Sequence, residues 1–326
     1  MNLAKTLMIQ GTASSVGKST LVTGLCRIFA QEGYRVAPFK AQNMSLNAAV
    51  TKDGGEIGRA QATQAEAAGV EPTVAMNPIL LKPESDSRSQ VIVMGRPLAA
   101  MAAQEYYQRR TGFLEIVQQA LNTLRQQYDF IILEGAGSPV ELNLAHYDLV
   151  NMRVAQLADA PVLLVGDINQ GGIFASMLGT LLLLQPEERM RVKGLIVNKF
   201  RGEYSLWQPG ECLLATRSGL PVVGTVPFLQ DLRIAEEDSV PLEDGSATLL
   251  QQRAVAPLEV VILRFPYLSN YDEFDALAAE PLIRVHMIGR HPGSGDKDTR
   301  NASAALPDRA VPFSVSAGAI RCWENV

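Results

Sequence analysis

The run Gly11-Thr12-Ala13-Ser14-Ser15-Val16-Gly17-Lys18-Ser19-Thr20 carries the groups that phosphate chemistry needs. Gly17 lets backbone N–H groups turn toward a phosphate, Lys18 reaches the β and γ oxygens, and Ser19 offers a hydroxyl to Mg²⁺. A helix opening at Lys18 adds the positive end of its dipole. The expected ligand is a nucleoside triphosphate with magnesium, held by Gly11, Thr12, Gly17, Lys18, Ser19 and Thr20. The standard spacing places the first glycine at position 12, where this chain has Thr12, so the loop is a variant one residue longer that starts at Gly11.

Such a loop also needs a carboxylate for the metal. Glu134 supplies one at the end of the apolar run Phe130-Ile131-Ile132-Leu133, with Gly135 and Gly137 beside it to allow close approach of a ligand. Asp167 ends another apolar run, where a functional role and a solvated turn are equally compatible with the pattern. Asn198 ends a third, and its amide can pair with an adenine edge through one donor and one acceptor. The segment Phe39-Lys40-Ala41-Gln42-Asn43-Met44-Ser45-Leu46-Asn47 concentrates one lysine, three amides and a hydroxyl, a set suited to the polar groups of a large acidic substrate. Glu56 reads either as a second metal carboxylate or as an acid placed by a helix dipole. His146, His286 and His291 pair neither with each other nor with cysteine, which gives no support to a histidine metal site or a Cys/His catalytic pair.

The elements that must position these residues follow from hydrophobic pattern. Apolar runs at 6–10, 35–38, 90–94, 129–134, 161–166, 194–198 and 221–226 read as strands, most of them apolar on both faces. Helical patterns at 18–31, 56–68, 103–127, 149–158, 172–184 and 204–218 lie between them. This alternation predicts an α/β fold with a doubly wound, mostly parallel sheet, whose ligands sit at the carboxyl ends of the strands. The expected division is an α/β domain over 1–230, a linker over 231–257, a fragment with strands at 258–263 and 282–286, and an irregular tail over 287–326.

With 326 residues, 47% hydrophobic and 19% charged, the chain can bury a sizeable core. Acidic residues number 34 against 29 basic, a net charge of −5, so no cationic excess drives binding to nucleic acid or anionic lipid, and neither is an expected partner. Cys26, Cys212 and Cys322 lack C-x-x-C spacing, which fits a reducing cytoplasm. The apolar start is too short for a signal sequence, and no run approaches the ~18 apolar residues of a membrane span.

Taken together, the phosphate loop, the Lys-Ala-Gln-Asn-Met-Ser run, residues 56–61, Met76-Asn77-Pro78-Ile79-Leu80-Leu81-Lys82-Pro83, the Glu134 turn, Asp148-Leu149-Val150-Asn151-Met152 and residues 198–202 resemble the cobyric acid synthases. These are cobalamin-pathway amidotransferases related to dethiobiotin synthetases, and the likeness covers residues 1–281. The resemblance implies a P-loop fold of dethiobiotin synthetase type. It implies ATP- and Mg²⁺-dependent amidation of peripheral carboxylates on adenosylcobyrinic acid a,c-diamide through acyl phosphates. By the same resemblance Asp148 joins Lys18 and Glu134 as catalytic, and Lys40, Gln42, Asn43 and Asn143 hold the corrinoid; Ser19, Glu134 and Glu56 remain the candidates to hold metal.

Two departures stand out. Asp167-Ile168-Asn169-Gln170-Gly171-Gly172 replaces the Asp-Ile-Asp-Arg-Gly-Gly expected of the family. The second is in the glutaminase half, whose opening strand is recognisable at 258–263. Cys322 has no glycine two residues to either side, hence no nucleophile turn. The tail therefore reads as truncated or frame-shifted, glutaminase activity is expected to be absent, and nitrogen is expected from ammonia or from a glutaminase on another chain. Oligomeric assembly is left open. The competing readings are a partitioning or positioning ATPase, against which Ala13, Ser14 and Ser15 stand where a lysine and glycines are needed, and an inactive remnant.

Overall fold

The computed structural model describes residues 3–85, 88–230, 258–263 and 274–288. The chain divides into two units, Met1–Ser239 and Val240–Val326. The first begins with β1 (Lys5–Gly11), α1 (Lys18–Gln31), β2 (Val36–Phe39), β3 (Gln42–Met44), β4 (Ala48–Val50), β5 (Glu56–Gly58) and α2 (Arg59–Ala67). It continues through β6 (Ile79–Ser85), β7 (Arg88–Val93), β8 (Arg96–Ala102), α3 (Ala103–Gln108), α4 (Arg110–Gln127) and β9 (Phe130–Glu134). The last elements are α5 (Met152–Ala158), β10 (Val162–Asp167), α6 (Ile173–Leu183), α7 (Pro186–Arg189), β11 (Val192–Phe200), α8 (Tyr204–Ser218) and β12 (Val222–Pro227).

Six of these strands form one sheet in the order β12-β11-β10-β1-β9-β2, and every neighbouring pair is parallel. Successive residues of a strand point to opposite faces, so a sheet covered on both sides needs unbroken apolar runs. Met8, Ile131, Leu133, Leu164, Leu195 and Val197 enter one core cluster. Their neighbours Ile9, Ile132, Val165 and Ile196 enter the other, with Val22 and Cys26 from one face of α1. Each fully buried side chain of this kind contributes about 1.5–3 kcal/mol of transfer free energy. The parallel, doubly wound expectation holds.

The run at 90–94 belongs elsewhere. It is part of β7, in a second sheet ordered β3-β6-β7-β8 whose β6–β7 and β7–β8 pairs are antiparallel. The reversal between β7 and β8 uses Met94 and Gly95, both at positive φ (48° and 78°), the geometry of a tight hairpin turn. Pro83 and Pro97 mask these strands in the sequence. Pro83 lies beyond the three residues of β6 that pair with β3, and Pro97 sits on the edge strand β8, so neither interrupts a ladder on both sides.

Three expected helices also shift. Residues 56–58 form β5 and pair with β4, so α2 starts at Arg59. The stretch 103–127 divides at Arg109 into α3 and α4. The helix expected from 149 starts at Met152, because Asp148 holds the N–H groups of Val150, Asn151 and Arg153 outside the helical ladder.

In the second unit β13 (Leu258–Leu263) and β14 (Ile283–Ile288) pair in parallel, and α9 (Phe274–Ala279) falls between them in the chain. β14 runs two residues past the expected end at 286. The expected linker over 231–257 and the tail from 289 on, with His291 and Cys322, lie outside the described residues. No helix among the described residues is long and apolar enough to cross a membrane.

Cys26 lies on the fully buried face of α1, and burial followed by the nearby Glu134 charge pushes its thiol up to about 12. Cys212 is exposed. Iodoacetamide at neutral pH is expected to label Cys212 in the native protein and to reach Cys26 only after denaturation, as read by peptide mass spectrometry.

Candidate functional site

Register brings the site together. Pairing of β1 with β9 sets Glu134 beside Ile9, pairing with β10 sets Val165 beside Gly11, and pairing of β10 with β11 sets Asp167 beside Asn198. The carboxyl ends of β9, β1, β10 and β11 therefore stand side by side where the strand order reverses, the place where open α/β sheets bind ligands. Thr12 continues β1 by donating its N–H to the Val165 carbonyl, and Thr20 lies half-buried in the first turn of α1.

Gly17 has φ 98°, and a β-carbon there would lie 2.1 Å from Asn198 Nδ2, so the loop requires glycine on both counts. Helix α1 opens at Lys18 with no side-chain cap and no acidic residue in its first turn. No acid within its own first turn therefore opposes a phosphate at this end of the helix. Lys18 is buried, and its Nζ donates to the carbonyls of Ala13 (2.9 Å) and Gly137 (3.2 Å), tying the loop to the turn after β9.

Glu134 is the electrostatic centre. Only 1% exposed, it accepts hydrogen bonds on Oε1 from Ser19 Oγ (2.8 Å) and Lys40 Nζ (2.9 Å), and on Oε2 from Gln64 Nε2 (2.6 Å). Burial pushes its carboxyl up, but the Lys40 charge and the hydrogen bonds from Lys40, Gln64 and Ser19 outweigh it and hold Glu134 below the ordinary carboxylate range. Lys40, which the resemblance assigns to the corrinoid, is buried against this carboxylate. Asn77 fixes its backbone, donating from Nδ2 to the Lys40 carbonyl (3.1 Å) while its Oδ1 accepts the Gly58 N–H (2.9 Å).

Asn198 donates from Nδ2 to the Val16 carbonyl (2.8 Å), so the amide read as an adenine partner also braces the phosphate loop. Its neighbour Lys199 adopts φ 60°, donates to the Ser15 carbonyl (2.6 Å) and forms an ion pair with Asp167 (3.0 Å). Asp167 is thereby given a place: its Oδ1 accepts the Asn169 N–H and its carboxylate neutralises Lys199. The room left by Gly135 is filled from within, since a β-carbon there would lie 2.3 Å from Asn151 Oδ1. Asn151 bonds both the N–H and the carbonyl of Ala136.

The remaining expected residues are placed less centrally. Asp148 spends both carboxylate oxygens on backbone N–H groups ahead of α5. Gln42 accepts from the Tyr106 hydroxyl. Asn43 is buried and donates to Gln61 Oε1 (3.0 Å). Asn143 is exposed on the short helical turn Leu142–Tyr147. Glu56 forms an ion pair with Lys82 on β6, away from the Glu134 hydrogen bonds. Among the described residues no three His, Cys, Asp or Glu side chains cluster as a metal site. The oxygens of Ser19 and Glu134 are the hard donors that suit Mg²⁺. Sequence reasoning missed Gln64, Asn77, Asn151 and Lys199. Gln64 had a signal, because Gln61 and Gln64 share the small-residue face of α2 with Ala60 and Ala65.

A glycine-turned loop between β1 and α1 that leads into a buried lysine, followed by a hydroxyl bonded to a buried strand-end carboxylate, defines a P-loop nucleotide-binding protein. The chain belongs to the CobQ/CobB/MinD/ParA nucleotide binding domain family, whose model matches residues 7–242. It is 54% identical over 298 residues to a cobyric acid synthase of Sorangium cellulosum, covering 90% of this chain and 56% of that protein. Cobyric acid synthases of Dehalococcoides mccartyi and Chloroflexus aggregans are 55% and 56% identical, covering 85% and 88% of this chain and 54% and 57% of theirs. The chain thus spans about half the length of the curated relatives it matches.

Replacing Glu134 by Gln leaves the Lys40 ammonium buried without its counter-charge, and urea unfolding is expected to show a loss of about 3–5 kcal/mol. Because the Glu134 carboxyl is depressed in the folded state, its contribution is complete above the unfolded glutamate value. It is lost as pH falls through the lower folded value. The stability gap between wild type and Glu134→Gln should therefore narrow only in the acid range below the ordinary carboxylate pKa.

Proposed function

We propose that the chain uses MgATP to activate carboxylates of adenosylcobyrinic acid a,c-diamide as acyl phosphates, which ammonia converts to the amides of adenosylcobyric acid. The single observation that carries this reading is the Ser19–Glu134–Lys40 cluster at the mouth of the phosphate loop. The similarity to cobyric acid synthases supplies the substrate class.

The phosphates lie against the N–H groups of the loop and α1, and Lys18 moves its ammonium from the Ala13 carbonyl to their oxygens. Ser19 and Glu134 would hold Mg²⁺, which would supply charge neutralisation to the phosphoryl group in flight. A substrate carboxylate oxygen bonds to the γ-phosphorus as the bond to the β-phosphate oxygen breaks, and ADP leaves. Ammonia then attacks the acyl carbon, phosphate departs, and the nitrogen gives up a proton to the phosphate. Lys18 and Lys40 stabilise the negative charge that spreads over the phosphoryl oxygens, which is most of what a protein contributes to this chemistry.

On the corrinoid side, Lys40 orients the reacting acid. Gln42 and Asn143 take peripheral amides, Asn43 acts through Gln61, and Asp148 acts by setting the backbone ahead of α5. Glu56, committed to Lys82, fits a supporting role better than a metal-ligating one. Asn198 pairs the adenine edge with the amide face not used by Val16. Nitrogen comes from free ammonia or from a glutaminase on another chain.

The test is ADP release from MgATP by the full chain with the a,c-diamide and ammonium chloride, with corrinoid products resolved by mass. Stepwise amidation dependent on both corrinoid and ammonium is expected, and hydroxylamine should trap hydroxamates when ammonium is withheld. Glutamine in place of ammonium should yield nothing. ADP release indifferent to corrinoid but stimulated by DNA or vesicles would favour a positioning ATPase and overturn the reading. Lys18→Ala is expected to lower turnover at least about 100-fold, the scale of losing a charge aimed at the transition state.

A further inference from the structure

We propose that Lys40 is an internal stand-in for the metal: its ammonium occupies Glu134 Oε1 until MgATP binds, then leaves that oxygen to meet the substrate acid. This rests on the reading that MgATP binds at Ser19 and Glu134, and it adds an order of events to it.

The geometry points to one oxygen serving two cations. Ser19 Oγ and Lys40 Nζ both reach Oε1, at 2.8 and 2.9 Å, whereas Oε2 is engaged separately by Gln64 Nε2. A carboxylate held so firmly through Oε2 keeps its orientation whichever cation sits on Oε1. A buried ammonium and a divalent ion on the same oxygen repel each other in a water-poor site, so each weakens the other's hold, and the singly charged ammonium is the one that yields.

Lys40 is built to be the one that moves. Its backbone is pinned on both sides, with its N–H on the Met76 carbonyl (2.9 Å) and its carbonyl on Asn77 Nδ2 (3.1 Å), so only the flexible side chain swings. An acceptor waits nearby. Gln64 Oε1 is buried and has no hydrogen-bond partner among the described residues, and it belongs to the same amide that grips Glu134. The ammonium moves toward the acid only after the metal and nucleotide have arrived together.

Two measurements on the full chain test this. With Mn²⁺ alone, read by electron paramagnetic resonance of the free ion, Lys40→Met is expected to bind about tenfold or more tightly than wild type, the usual size of such coupling. Lys199→Met, which removes a charge on the Ser15 side of the loop, should give no comparable gain. Equal Mn²⁺ affinity in Lys40→Met and wild type would overturn the proposal. In case that variant does not fold, the second measurement uses wild type. The ¹⁵Nζ resonance of Lys40 should shift when Mg²⁺ and a non-hydrolysable ATP analogue are added together, and not when the analogue is added with EDTA. A resonance that stays fixed, or that moves equally without metal, would also overturn it. The Mn²⁺ arm needs neither nucleotide nor corrinoid, so its failure is separable from failure of the amidation reading.

Discussion

A carboxylate without water must find its charge and its hydrogen bonds inside the protein. Glu134 finds them on three elements far apart in sequence: Ser19 at the head of α1, Lys40 just after β2, and Gln64 within α2. No one of these elements could supply the whole set. Removing any partner leaves a polar group stranded in a dry place, so the phosphate loop, the second strand and the second helix are held to one another by a shared anion.

The sheet makes this possible by bringing strand ends to a common level. β9 is inserted between β1 and β2 although it follows both of them in the chain, beyond the whole second sheet and two further helices, and that insertion carries Glu134 to the loop. The amides of Asn77, Asn151 and Asn198 then join backbone segments that no ladder connects. Their work is structural in the first instance. It keeps loops in shapes that regular secondary structure cannot provide.

Much of this was legible in the residues. The alternation of apolar runs and helical patterns fixed the parallel sheet, because burial on both faces demands uninterrupted apolar strands. The loop from Gly11 to Thr20 and the carboxylate Glu134 announced themselves by type and by place. The second sheet did not: β6 and β8 contain prolines, β3 has three residues, and the Met94-Gly95 turn lacks the usual Asn-Gly signal. Residues 90–94 could therefore be seen as a strand without its partners being seen. Lys40 was singled out for its charge, yet its partner is 94 residues away, and no local pattern encodes that distance. Gln64 was missed because an amide on a helix face ordinarily signals solvent. Only its small-residue neighbours hinted at burial.

The bracing of the phosphate loop has a further consequence. Asn198 and Lys199 contact carbonyls at Val16 and Ser15, 182 and 184 positions earlier. A ribosome making this chain releases the loop early and the residues that clamp it much later. Until β11 has left the exit tunnel and taken its seat beside β10, the nascent chain has the written motif but not the finished cradle. Any fragment ending before residue 198 would be in the same position permanently.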